Sequence, residues 1–259
     1  MSATAARGGT SRLELTPVGV GTSYSAHGIA QTCFLVRAGE RTVVLDFGSG
    51  AMNRLQSHLD PADVDLIAIS HVHPDHCVDL FALRVYMVWG PGVGKTIPVF
   101  GPAALRQLVI DFAGEIGWDD AFDFRPMDRP AGRQNLGEGL ILSWREVPHG
   151  PPTFALRLDW QGSSICFGAD CGPNDAIVEF GDGVDVLVLE CSFGTQPMVD
   201  GVGHLNAEEV GRIAAAAKPG RLLVTHCYPE HDEQAVQEGI ARHYDGPAAF
   251  ARQDHSVSA

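Results

Sequence analysis

Ser70-His71-Val72-His73-Pro74-Asp75-His76 places four potential metal ligands within six residues. It follows the apolar run Leu66-Ile67-Ala68-Ile69, so the polar cluster reads as a loop delivered by a buried strand. Neutral imidazole nitrogen and carboxylate oxygen are donors that borderline divalent cations such as zinc accept. A short loop at a strand's end lets a rigid scaffold hold several of them together. Two expectations follow: a buried strand ending near Ser70, and a metal site at that end.

Working outward, three more donors fall directly after apolar runs. His149 follows Glu146-Val147-Pro148, Asp170 follows Ile165-Cys166-Phe167-Gly168-Ala169, and His226 follows Leu222-Leu223-Val224-Thr225. A lone histidine at a strand end is more often an ordinary surface or core residue. An ordered set is different, because this many buried polar groups would be costly without a shared partner. Loops converging at strand ends are where α/β folds build their sites.

The flanking pattern is consistent with such a scaffold. Strands are expected over 13–20, 32–37, 42–46 and 66–70, with a tight hairpin at Ala38-Gly39-Glu40. Helices are expected over 52–58 and 79–88, then a strand over 97–100, then a helix opened by Pro102 and running to about Phe112. Residues 114–137 are mixed and polar and read mostly as loop. A second β-rich run follows over 140–147, 154–159 and 164–168. Next come a helix over 175–180, a strand over 184–189, a helix over 206–217, a strand over 222–225 and a helix over 233–244. Asn206 suits the N-cap of its helix, with Glu209 in the reciprocal position and Pro219-Gly220 as the stop. The order implies two related halves packed as a four-layer αββα sandwich. It divides into a leader over 1–12 and a single hydrolase domain over 13–259.

Composition bounds the function. At 259 residues and 45% apolar the chain has material for a sizeable core, and its formal charge of −14 repels polyanions. The 18 Lys and Arg residues are scattered, so extended binding to nucleic acid is not expected and a small-molecule substrate is. Six cysteines without a C-x-x-C pair suit a reducing cytoplasm, and Cys227 reads as a small buried thiol. Residues 1–12 lack the apolar stretch of a signal peptide, and no run approaches a membrane span. Phe81–Val88 offers an apolar face for a homodimer. Gly90-Pro91-Gly92-Val93-Gly94-Lys95-Thr96 falls short of a phosphate loop, since Trp89 stands where the first glycine belongs. That segment is expected at the mouth of the site.

The H-x-H-x-D-H run followed by separated His, Asp and His resembles the metallo-β-lactamase superfamily over about residues 13–250. The resemblance implies that His71, His73 and His149 hold one divalent metal. It assigns Asp75, His76 and His226 to a second, with Asp170 bridging and Asp46 beneath them. Zinc is the expected ion, with manganese or iron as alternatives. Glu190, ending Val186-Leu187-Val188-Leu189, and His204 before the capped helix are similar to the glutamate and histidine of ribonuclease Z-like phosphodiesterases. In that branch the histidine, oriented by the glutamate, protonates the leaving oxygen. Asp75, Glu190 and His204 are thus the expected catalytic residues of a phosphodiesterase.

Two departures stand out. Leu189 and Cys171 replace a histidine and a threonine found in some ribonuclease Z members. Only 20 residues separate His149 from Asp170, too few for the arm of transfer-RNA-processing members. A small phosphodiester, cyclic nucleotides included, is the expected substrate. The rival readings are a lactone, thioester or amide hydrolase with an aromatic mouth (Tyr24, Tyr86, Trp89, Trp118), and a metal-holding interaction protein.

Overall fold

A computed structural model describes residues 11–114, 118–199 and 201–259. Most of the leader, residues 1–10, lies outside the described residues. The first half runs β1 (Glu14–Gly19), β2 (Cys33–Ala38), β3 (Arg41–Leu45), α1 (Ala51–Leu55), β4 (Leu66–Ala68), α2 (Pro74–Cys77) and α3 (Leu80–Trp89). It continues with β5 (Ile97–Pro102), α4 (Ala104–Ala113), α5 (Trp118–Ala121) and β6 (Phe122–Met127). The second half comprises β7 (Ala131–Gly137), β8 (Leu140–Val147), β9 (Thr153–Trp160), β10 (Ser163–Phe167), α6 (Asp175–Phe180) and β11 (Val186–Glu190). After it come α7 (Ala207–Ala217), β12 (Arg221–Thr225), α8 (Glu233–Ala241), β13 (Ala248–Phe250) and β14 (Val257–Ser258).

Two seven-stranded mixed sheets result, ordered β14-β1-β2-β3-β4-β5-β6 and β13-β12-β11-β10-β9-β8-β7. Each has an antiparallel part and a parallel part: β3 to β6 are parallel in one, β10 to β13 in the other. The side-chain period of two sorts each strand between two cores. On β2, Phe34 and Val36 enter the core between the sheets, whereas Cys33 and Leu35 face α1 and α3. On β11, Val186 and Val188 enter the central core, and Leu187 and Leu189 pack beneath α6 and α7. Three apolar clusters stacked this way make the four-layer αββα sandwich that the sequence implied.

Several boundaries differ from expectation. Pro102 ends β5 and does not open α4, which starts two residues later. Residues 114–137 are not mainly loop, since they carry α5 and the edge strands β6 and β7. The short strands β13 and β14 carry no sequence signal of their own. Among the described residues, no helix is long and apolar enough to cross a membrane.

Candidate metal centre

All the expected site residues gather at one pole, where the parallel strands end. His71, His73, Asp75 and His76 occupy the loop after β4 and the first turn of α2, which Pro74 opens. His149 follows β8, Asp170 follows β10, Glu190 ends β11 and His226 follows β12. Asp46, Ala169 and His226 have left-handed backbone, with φ of 58°, 56° and 48°. Non-glycine residues in that region cost about 1–3 kcal/mol each and persist where the surroundings hold them. Here they turn the chain at three strand ends.

The side chains form two sets. In the first, His73 Nδ1 lies 3.1 Å from His71 Nε2 and 3.2 Å from His149 Nε2. In the second, His226 Nε2 is 3.1 Å from Asp75 Oδ2 and 3.7 Å from Asp170 Oδ2. His76 Nε2 is 3.5 Å from Asp75 Oδ2 and 3.4 Å from Asp170 Oδ1. Within each set the donor atoms lie within 4.8 Å of one another. Asp170 groups as closely with His149 and His204. It therefore stands between the two sets, where a bridging carboxylate would have to be.

An outer ring of partners fixes which ring nitrogen points inward. His76 Nδ1 donates to Asp46 Oδ2 at 2.7 Å, and His149 Nδ1 donates to the Gly203 carbonyl at 2.8 Å. Ser70 Oγ donates to Asp46 Oδ2 at 2.8 Å and lies 3.0 Å from His71 Nδ1. Ser192 Oγ likewise donates to Glu190 Oε2 at 2.8 Å and lies 3.0 Å from His226 Nδ1. A hydroxyl with its proton committed to a carboxylate must accept from the imidazole. Four histidines are thereby held as Nδ1–H tautomers with the Nε2 lone pair turned inward, the arrangement metal-binding histidines need. His73 alone presents Nδ1.

Electrostatics agree with that tautomer assignment in the first set. Burial lowers the pKa of His71 well below its usual value and also lowers His73 and His149, so all three are neutral donors. In the second set burial would lower His76, but the charges of Asp170 and Asp46 outweigh it and raise it. Burial would raise Asp75 and Asp170, yet contacts with His226 and His76 outweigh it and lower both. Excess negative charge thus faces the second set.

These residues fit divalent ions. His76 is fully buried and its Nε2 has no hydrogen-bond partner, a loss of about 1–3 kcal/mol for an orphaned polar atom. A cation between His76, Asp75, Asp170 and His226 would satisfy it, and the nitrogen and oxygen donors suit zinc, manganese or iron alike.

Beside the sets, His204 Nδ1 donates to Glu190 Oε1 at 2.9 Å and lies 3.9 Å from Asp170 Oδ2. Its ring centroid is 4.9 Å from that of His149. Burial alone would lower His204, but the hydrogen bond and charge of Glu190 prevail and raise its pKa. Glu190 is itself fixed by the backbone N–H groups of Ser192 and Leu205 at 2.7 and 3.0 Å.

A model of the β-lactamase superfamily domain matches residues 41–227. The chain belongs to the metallo-β-lactamase superfamily. Within it, an uncharacterized protein of Mycobacterium tuberculosis is 35% identical over 213 residues, spanning 79% of this chain and 77% of the relative. The probable metallo-hydrolase YhfI of Bacillus subtilis is 26% identical over 218 residues, 83% of this chain and 86% of its own. The crystal structure of YhfI superposes with a TM-score of 0.85 at 22% identity, covering 95% and 99% of the two chains. A ribonuclease Z of Mycobacterium avium is 25% identical over 277 residues, 95% of this chain and 98% of its own.

Two sequence expectations about this superfamily member's pocket fail. Residues 89–95 lead into β5, which runs parallel to β4, so they lie at the opposite pole from His71. Lys95 confirms it by pairing with Asp63, just before β4, at 2.7 Å. Of the four aromatics expected at the mouth, Tyr24 alone lies at the pole of the site, its ring 5.4 Å from that of Tyr228 in the loop after His226. Trp118 is fully buried, Tyr86 bonds Asp60 at that same opposite pole, and Trp89 sits at the end of α3 there. Ser70, Ser192 and Gly203 also shape the site, although nothing in the sequence marks a role for them. Gly203 leaves no room for a side chain, since a Cβ there would lie 2.7 Å from His149 Cα.

Proposed function

We propose that this metallo-hydrolase is a phosphodiesterase with two divalent ions, acting on a small substrate such as a cyclic nucleotide. The observation that carries it is the Glu190–His204 pair beside Asp170 and His149. Two ions held by His71, His73 and His149 and by Asp75, His76 and His226, with Asp170 shared, would polarise a water for attack on phosphorus and neutralise the phosphoryl oxygens. Glu190 holds His204 Nδ1–H at 2.9 Å, which leaves Nε2 as the nitrogen that would meet the substrate. The ring's raised pKa lets it arrive carrying a proton, and Nε2–H gives that proton to the leaving alkoxide. Asp46, Ser70, Ser192 and Gly203 O hold the ligand rings in orientation, so little reorganisation accompanies the step.

Small size is supported by the segment between His149 and Asp170, which β9 and β10 fill and which projects no arm. The net charge of −14 works against a polynucleotide. A relative that is a ribonuclease Z and a structural neighbour that is a diphosphatase of the PhnP family both support phosphorus chemistry. The test offers the manganese- or zinc-loaded protein bis(p-nitrophenyl) phosphate, a cyclic nucleotide, a lactone and a thioester in parallel. Turnover of the phosphodiesters is the expected result. Turnover of the acyl substrates alone would overturn it.

A further inference from the structure

Cys191 directly follows Glu190, and Cys227 directly follows His226. They lie on the neighbouring parallel strand ends of β11 and β12, which pair Glu190 with Thr225. Cys191 N donates to Thr225 O at 3.0 Å, extending that pairing past the strands. Cys227 packs on the apolar cluster that contains Cys191. Of the six cysteines five are buried, and only Cys227 is partly exposed. It lines a cavity of about 230 Å³ bordered by His226, Tyr228, His231 and Arg252. One thiol is therefore reachable by a small oxidant, and the other is buried against it.

We propose that Cys191 and Cys227 are a peroxide-sensitive pair whose disulfide reversibly disables the adjoining acid pair. The Cys227 sulfur attacks one peroxide oxygen, forming an S–O bond as the O–O bond breaks, which gives a sulfenic acid and water. Cys191 then displaces that hydroxyl as a second water, and the S–S bond closes. Two thiols are oxidised and one peroxide is reduced. The bond would tie the backbone after Glu190 to the backbone after His226. Ser192, the next residue, holds Glu190 Oε2 and lies against His226 Nδ1, so the strain falls on groups that orient His204 and one candidate ligand.

The experiment exposes zinc-loaded protein to hydrogen peroxide, traps remaining thiols and any sulfenic acid with an alkylating agent and dimedone, and maps peptides by mass. Wild type should give a linked pair of peptides spanning Cys191 and Cys227, with phosphodiester turnover down about tenfold, the range for disturbed outer partners. Dithiothreitol should remove the link and restore turnover. Cys191→Ser should carry dimedone on Cys227 without a link, and Cys227→Ser should show neither. Wild type whose thiols stay alkylatable, or whose Cys227 keeps dimedone despite Cys191, would overturn the proposal. A link that leaves turnover unchanged would overturn the disabling role. The mass readout needs no assumption about which bond the site hydrolyses.

Discussion

Asp46 shows how one buried carboxylate organises this site. It accepts from Ser70 N, Ser70 Oγ and His76 Nδ1 at 2.6 to 2.8 Å while fully buried. Asp46→Ala should therefore weaken metal affinity about 10–100-fold, the usual effect of removing an outer partner. Metal titration followed by calorimetry checks it, and unchanged affinity would contradict the role. Ser192→Ala removes the hydroxyl shared by Glu190 and His226. It should lower turnover about tenfold or more for the same reason, and dialysed protein should also retain less metal. Metal content measured by atomic emission separates that outcome from simple misfolding. The residues that come together here were readable because the His71–His76 cluster, His149, Asp170, Glu190 and His226 each follow an apolar run, while His204 was legible only through the family resemblance. The serines and Gly203 were not, since a hydroxyl or a glycine beside a ligand has no spacing that distinguishes it.

At the scale of elements, α7 and α8 brace the strands that carry Glu190 and His226. Asn206 caps α7, its side chain accepting from Glu209 N at 3.0 Å, as its position in the sequence implied. Asn206→Ala should cost about 1 kcal/mol in urea unfolding, and Asn206→Asp far less. Gly211 lets α7 approach α8, and a Cβ there would fall 2.6 Å from Ile240 O. Gly211→Ala should cost about 1–3 kcal/mol, as overpacking does, with no loss of metal content in the folded fraction. The strands with alternating or continuous apolar runs were legible, and so was the hairpin at Ala38-Gly39-Glu40, where Ala38 proves to be the last residue of β2. The edge strands were not. β7 alternates exposed and half-buried residues with no apolar face, and β6 carries Asp123, Arg125 and Pro126, the charges and proline that protect sheet edges. Natural edges suppress the very pattern by which strands are recognised.

For the whole molecule, the two sheets face each other across one apolar layer, and both contribute donors at one pole. β3 and β4 deliver Asp46 and His71 to His76, while β8, β10 and β12 deliver His149, Asp170 and His226. A metal bound there would clamp the halves together. Chelation should lower the melting temperature, and excess zinc or manganese should restore it. Saturation a thousandfold above Kd corresponds to about 4 kcal/mol. A melting temperature indifferent to chelator would contradict the shared centre. The pole was predictable because parallel strands all end on the same side. The position of residues 89–95 differs from expectation because sequence proximity to the cluster does not reveal at which strand end a loop lies.

The most direct measurement compares His204→Ala with wild type on two phosphodiesters, one with a p-nitrophenolate leaving group and one with an alkoxide, in metal-loaded protein. A proton held by His204 matters for the alkoxide and barely for nitrophenolate. The alkoxide substrate should lose about 100-fold or more in kcat, with little change for the other. Equal losses on both substrates would contradict His204 as the acid and, with it, the phosphodiesterase reading of the Glu190–His204 pair.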